Sequence, residues 1–200
     1  YVLTSNVPEI LPYIAFVLLG IPLPLPVLLI LAIDLGTDML PAVGLAAEPA
    51  ETDVMQHEPR PRSERLLSRR LLLESYVRWG LCESLAGFGA YAAVLWAGGW
   101  RWGQELAVDT VLYGQAIAAF FGAVIVGQVA NVMIWRTTRQ SVFTKGLLRN
   151  RAVVAGVAVE LLALWWIVES ESGQAVFGTA GLPWWGWLVP VPFALGMLAW

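Results

Sequence analysis

The sequence has 200 residues, of which 58% are hydrophobic and only 14% charged, with a mean hydropathy of +0.67. Soluble domains carry about a quarter charged residues, so this composition belongs to a bilayer. Twelve basic against fifteen acidic residues give a net charge of −3, which offers no basic surface to nucleic acid. The single cysteine, Cys82, excludes an internal disulfide, and the single histidine, His57, leaves too few soft ligands for zinc or copper. A metal ion held here must be held by oxygen.

A helix needs about 20 mostly apolar residues to cross ~30 Å of hydrocarbon. Six runs meet that need: residues 1–21, 26–46, 71–98, 111–135, 152–168 and 184–200. Each is read as a helix because lipid offers backbone polar groups no other partner. The expected architecture is an all-α membrane protein, a six-transmembrane-helix bundle, with no soluble domain between the spans. Tyr1 follows no initiating Met or signal-type segment, and the last apolar run stops without a polar flank. The chain therefore reads as one membrane domain, 1–200, cut at both ends from a longer polytopic protein.

The first run carries Asn6 and Glu9, three apart on one helix face, beside Pro8. Pro8 has no N–H for the carbonyl of Thr4, so that oxygen is available to a cation. In the second run, Asp34 and Asp38 share a face with Gly36 between them, a pattern that favours local unwinding and calls for either a bound cation between two like charges or protonation of at least one acid. The third run holds Glu83, which reads with Arg78 and Glu74 as a structural pairing and stays outside the site. Gln128 and Asn131 on the fourth run share a face, and Glu160 stands alone on the fifth. An ionisable residue costs roughly 2.5 to 3.5 kcal/mol in a membrane helix, which makes each of these a functional candidate. Carboxylate, amide and carbonyl oxygens together are the ligand set of calcium, sodium or potassium.

Basic residues concentrate in two connections, with Arg60, Arg62, Arg65, Arg69 and Arg70 in one and Arg136, Arg139, Lys145, Arg149 and Arg151 in the other. Both are therefore placed on the cytoplasmic side. Trp96, Trp100, Trp102, Trp165, Trp166, Trp184, Trp185 and Trp187 fall at the opposite ends of the helices, where indole rings settle at the membrane interface. From these residues alone, three readings stand. One is an ion pump; a second is a secondary transporter or channel that relays ions or protons through the same acids; the third is a membrane anchor whose polar groups only join helices.

The runs Tyr1 to Tyr13, Ile21 to Pro24 and Ala32 to Pro41 resemble the P-type cation-transporting ATPases, in particular the sodium/potassium-pump-like branch. The resemblance continues through Ala50 to Met55, Pro59-Arg60 and Arg136 to Phe143 and covers essentially the whole chain. It implies that the six helices correspond to the fifth to tenth membrane helices of a multi-pass pump of the cell membrane. It also implies that Asn6, Glu9, Asp34, Thr37 and Asp38 supply central cation sites, that Gln128 and Glu160 contribute to an additional site, and that Thr4, Ser5 and Tyr1 line the cavity. Asn131 stands where the animal sodium pumps have an aspartate, and Ser5 and Asp34 differ from the lysine and glutamate of the gastric proton pump. By the same comparison the transported cation is Na+ or K+, with Ca2+ as the alternative. The motif for the phosphorylated aspartate is not in these residues, so ATP and Mg2+ belong to cytoplasmic parts of the parent chain. The expected partners are the lipid bilayer and the remaining parts of that chain; the outer loop after the third run is too short for an accessory-subunit contact, so a lone catalytic chain is expected.

Overall fold

The computed structural model describes residues 1–51, 54–56, 61, 65–137 and 146–199, and every regular element among them is helical. Five helices are long and apolar enough to cross a membrane: α1 (Val2–Leu19), α2 (Val27–Ala46), α3 (Arg69–Ala97), α4 (Val111–Ile134) and α5 (Arg151–Glu169). A short helix α6 (Glu171–Phe177) follows between the fifth and sixth apolar runs. It starts on Ser170, whose hydroxyl accepts from the Gly173 N–H at 3.0 Å, and ends on Gly178 in the left-handed region (φ 68°). The last apolar stretch, α7 (Trp184–Ala199), is shorter than the other five. It opens as a 3₁₀ turn over Trp184–Leu188, where Pro190 and Pro192 withhold two N–H groups from a regular α-helix. Residues His57, Arg60, Arg62, Arg139, Lys145, Ser141 to Phe143 and Trp200, which entered the charge count, the resemblance or the last span, lie outside the described residues.

Two of the long helices depart from α geometry over part of their length. In α2 the turn widens to a π-helix over Ala32–Asp38, and in α3 over Leu73–Gly80. Gly36 therefore marks a widening of the helix rather than the unwinding expected from sequence. The physical cause in α2 lies one turn on: Pro41 cannot donate to the carbonyl of Thr37, and its ring crowds that oxygen. Thr37 adds to the perturbation by donating its own hydroxyl to Ile33 O at 2.9 Å.

Helix α4 is the centre of the bundle, with Ala118, Phe120, Phe121, Val124 and Ile125 fully buried. α3 lies against it where Phe88 meets Phe120 edge to face, with ring centroids 5.2 Å apart. α2 and α5 cross on glycines. A Cβ on Gly44 would fall 2.8 Å from Val153 N, and one on Gly156 would fall 2.8 Å from Pro41 N, so the two backbones touch in the manner small residues permit.

The ends are tied separately. At one side, α1 stops on Gly20 (φ 63°), and the hairpin that follows is held by Tyr91, which donates to Pro22 O at 2.7 Å, and by Tyr113, which donates to Leu23 O at 3.0 Å. Gln115 donates to Gly181 O at 3.0 Å on the same side. At the other side, Arg136 is buried and bonded to Glu48 at 3.0 and 3.3 Å and to the carbonyls of Leu147 and Gly146. Asn150 caps α5 through Ala152 N and Val153 N while donating to Gly44 O and Glu48 Oε2. The ends of α2 and α4 and the start of α5 thus share one face of the bundle, in keeping with the two basic connections lying on one side. Arg136, counted among the topogenic charges, is instead a buried clamp. Trp96, Trp102, Trp165, Trp166 and Trp184 are exposed; Trp100 differs from the interfacial expectation, since it is buried and donates to Gln104 O at 3.0 Å.

Candidate cation site

The four-residue spacing of Ser5 and Glu9 on α1 meets the four-residue spacing of Asp34 and Asp38 on α2, and because the helices are antiparallel the residues form two rungs. On one rung, the Ser5 hydroxyl donates to Asp38 Oδ2 at 2.7 Å and the Tyr1 hydroxyl to Oδ1 at 3.1 Å. On the other, the Glu9 carboxyl lies near that of Asp34, and Glu9 Oε1 is buried without a hydrogen-bond partner. Two neighbouring carboxyl groups favour a proton or a cation between them. Asp38 is buried; Asp34 is exposed, on a face of α2 that also presents Leu31, Leu35 and Met39.

The other expected residues surround these rungs unequally. Thr37 is buried, with its hydroxyl turned back to its own helix. Asn6 is half-buried. Thr4 is fully buried and its hydroxyl has no partner. Asn131 donates weakly to Tyr1 O at 3.4 Å, while its Oδ1 is buried and unpartnered. Gln128 and Glu160 are completely buried, and neither polar atom of either side chain is hydrogen-bonded. Glu160 sits one turn beyond Gly156, so the glycine crossing sets its depth, and it lies within electrostatic range of Asp38. Burying a polar group without a partner costs about 1–3 kcal/mol, so this many unpartnered groups in the bundle interior suit a place that receives something. Among the described residues no three His, Cys, Asp or Glu side chains converge closely enough to hold a metal ion by themselves, so hydroxyl, amide and carbonyl oxygens are needed to complete any ion's shell.

Glu83 does not behave as its sequence context suggests. Arg78 lies 3.9 Å from Glu74 and stacks over the Trp79 ring at 4.6 Å, whereas Glu83 turns inward, is fully buried and has neither carboxylate oxygen hydrogen-bonded. A helical step of five residues points away from the starting side chain, while steps of four align. The spacing from Arg78 to Glu83 was itself the available signal, as was the succession Gly80, Glu83, Ser84 and Gly87, which marks the closely packed face of α3.

Residues 22–200 match the family model described as cation transporting ATPase, C-terminus. The chain belongs to that family. It is 35% identical over 98% of its length to the human sodium/potassium-transporting ATPase subunit alpha-4 and 34% identical over 98% to the potassium-transporting ATPase alpha chain 1 of Xenopus laevis. It is also 37% identical over 80% to the sodium/potassium-transporting ATPase subunit alpha-2 of Gallus gallus. It spans about a fifth of the length of these relatives, covering 21%, 21% and 18% of them respectively. Family membership fits the all-helical, multi-pass membrane architecture and gives the resemblance drawn from Tyr1 to Tyr13 and Ala32 to Pro41 its footing.

Proposed function

We propose that this chain is the cation-carrying membrane region of an ATP-driven pump that moves Na+ or K+ across the cell membrane. The observation that carries the reading is the pair of rungs between α1 and α2, where Glu9 meets Asp34 and Ser5 holds Asp38. Oxygen ligands of mixed charge suit a hard cation. The lack of a converging trio of carboxylates among the described residues favours a monovalent ion over Ca2+. The relatives' names, sodium/potassium-transporting and potassium-transporting, point the same way.

In this reading Asn6, Glu9, Asp34, Thr37 and Asp38 bind the central ions. Thr4, Ser5, Gln128, Asn131 and Glu160 extend the cage, and the exposed face of α2 around Asp34 is covered by another membrane helix of the parent chain. ATP and Mg2+ act in the parent's cytoplasmic parts, and phosphorylation there shifts the helices so that the carboxylates open alternately to each side. The expectation of a catalytic chain without an accessory subunit rests on the short segment 98–110; co-purification from native membranes tests it. The deciding experiment for the pump reading is ATPase activity of the full-length parent titrated separately with Na+, K+ and Ca2+. Stimulation by a monovalent ion supports the proposal, stimulation by Ca2+ alone replaces the ion, and cation transport without ATP hydrolysis favours a secondary transporter instead.

A further inference from the structure

The start of α3 carries a charged strip that takes no part in the rungs. In steps of four along the helix, Arg70, Glu74 and Arg78 form one row, and Arg69, Leu73, Val77, Leu81 and Leu85 form the next. Arg69, Arg70, Leu73, Glu74, Val77 and Arg78 line an open groove of about 600 Å³. Arg70 Nε and Arg78 Nη1 converge there on the same oxygen, Glu74 Oε1, at 3.8 and 3.9 Å. Both pairs are longer than a charge-assisted hydrogen bond of about 2.7–2.9 Å, and the Arg70 side chain is 88% exposed. Among the described residues of the groove, three guanidiniums face one carboxylate, so positive charge predominates and its planar forks match an oxyanion.

The second row says which anion. Beyond Arg69 it presents Leu73, Val77, Leu81 and Leu85, all exposed, as one apolar lane running into the membrane. Any lipid-facing helix offers such a lane; what singles this one out is that it begins between guanidiniums. A free phosphate or a water-borne acidic segment would engage the arginines and leave the lane to something else, whereas a phospholipid fills both. Arg78 stands two turns deeper than Arg70, so its stem lies along hydrocarbon while its head reaches back toward the surface. The basic connections place this end of α3 on the cytoplasmic side, where the leaflet is rich in anionic lipid.

We propose that this face of α3 binds an anionic phospholipid of the cytoplasmic leaflet, its phosphate held by Arg69, Arg70 and Arg78 and one acyl chain laid along Leu73, Val77, Leu81 and Leu85. The site goes beyond the pump reading and is the same whichever cation is carried. Its loose internal ion pairs are part of the design: Glu74 keeps the two guanidiniums of its row together, and the phosphate supplies the closer oxygens that the carboxylate does not.

The test uses the full-length parent protein in detergent micelles, titrated with phosphatidylserine or with phosphatidylcholine. Lipid retained per protein is counted by native mass spectrometry, and the half-effect concentration is read from the rise in thermal midpoint. Wild type should retain phosphatidylserine in preference to phosphatidylcholine. Each arginine removed weakens attraction to anionic lipid about fivefold, so Arg69→Gln combined with Arg70→Gln should raise the half-effect concentration of phosphatidylserine by at least about tenfold. Arg149→Gln combined with Arg151→Gln removes the same charge from exposed positions on the same side of the membrane and should leave that concentration unchanged. An equal loss in both double variants overturns the site, since the attraction is then that of the whole basic surface, and no loss in either overturns it too. Unaltered phosphatidylserine binding with altered ATP hydrolysis in Arg69→Gln/Arg70→Gln also overturns it and assigns the groove to an acidic segment of the parent chain. If that double variant does not assemble, Arg70→Gln alone decides, with about a fivefold loss expected and wild-type binding overturning the proposal.

Discussion

Gly156→Ala offers the sharpest test of how the helix crossing sets the site. The added methyl would lie 2.8 Å from Pro41 N, 2.9 Å from Leu40 C and 3.1 Å from Leu40 O, where non-bonded carbon contacts settle at about 3.5–4.0 Å. These are backbone atoms and cannot rotate aside, so α5 and α2 must part by about 0.7 Å. Overpacking of that kind costs about 1–3 kcal/mol, while alanine in place of glycine returns up to about 1 kcal/mol of helix propensity. Gly89→Ala separates the two contributions, since a Cβ there meets nothing within 4 Å and only the propensity gain remains. Thermal unfolding of the purified parent protein in detergent should therefore place Gly156→Ala below Gly89→Ala by about 1–3 kcal/mol. Cation half-activation should also rise only in the first, because Glu160 is carried away from Asp38. Equal midpoints and equal half-activation for the two variants would refute the claim that the Gly44–Gly156 crossing holds the carboxylates at their depth.

Asp34→Asn should abolish most cation-stimulated ATP hydrolysis of the parent while leaving its yield in membranes intact; retention of full cation-dependent turnover would favour the anchor reading. Arg136→Ala takes the guanidinium away from the Glu48 carboxylate, whose side chain is 10% exposed and still receives the Asn150 amide, and should cost up to about 3 kcal/mol, read as a drop in thermal midpoint. Asn150→Ala removes the cap of α5, worth about 0.5–2 kcal/mol, together with its donors to Gly44 O and Glu48, and should lower the midpoint by less than Arg136→Ala. Tyr91→Phe and Tyr113→Phe each delete one bond to the Pro22–Leu23 backbone and should cost about 1 kcal/mol apiece, measurable as faster proteolysis of the hairpin between α1 and α2.

The spans were legible because a bilayer demands a length and an apolarity that the sequence displays directly. The meeting of α1 with α2 was legible in part: the paired spacings on each helix announced a face, but only the antiparallel docking sets Ser5 opposite Asp38 and Glu9 opposite Asp34. Glu83 was misread because nearby opposite charge was weighed more heavily than helical bearing; its true neighbour, Gly127, is 44 residues away in sequence and belongs to tertiary packing. Asp34's exposure was likewise unreadable, since it depends on what covers α2. Arg136 escaped notice as a structural residue because topogenic charges and buried ion pairs use the same side chain, and the buried carboxylate that decides between them, Glu48, stands on a distant connection.

The hairpin tyrosines at one end and the Arg136–Glu48–Asn150 knot at the other fasten both extremities of α2 to its neighbours. Between these moorings, the missing donor at Pro41 and the widened turn from Ala32 to Asp38 interrupt the regular α-helical bonding of the middle of α2. Mechanical compliance is therefore concentrated at the level of the acids, so a push on the ends is taken up as flexure beside Asp34 and Asp38 rather than as bodily rotation of the whole rod.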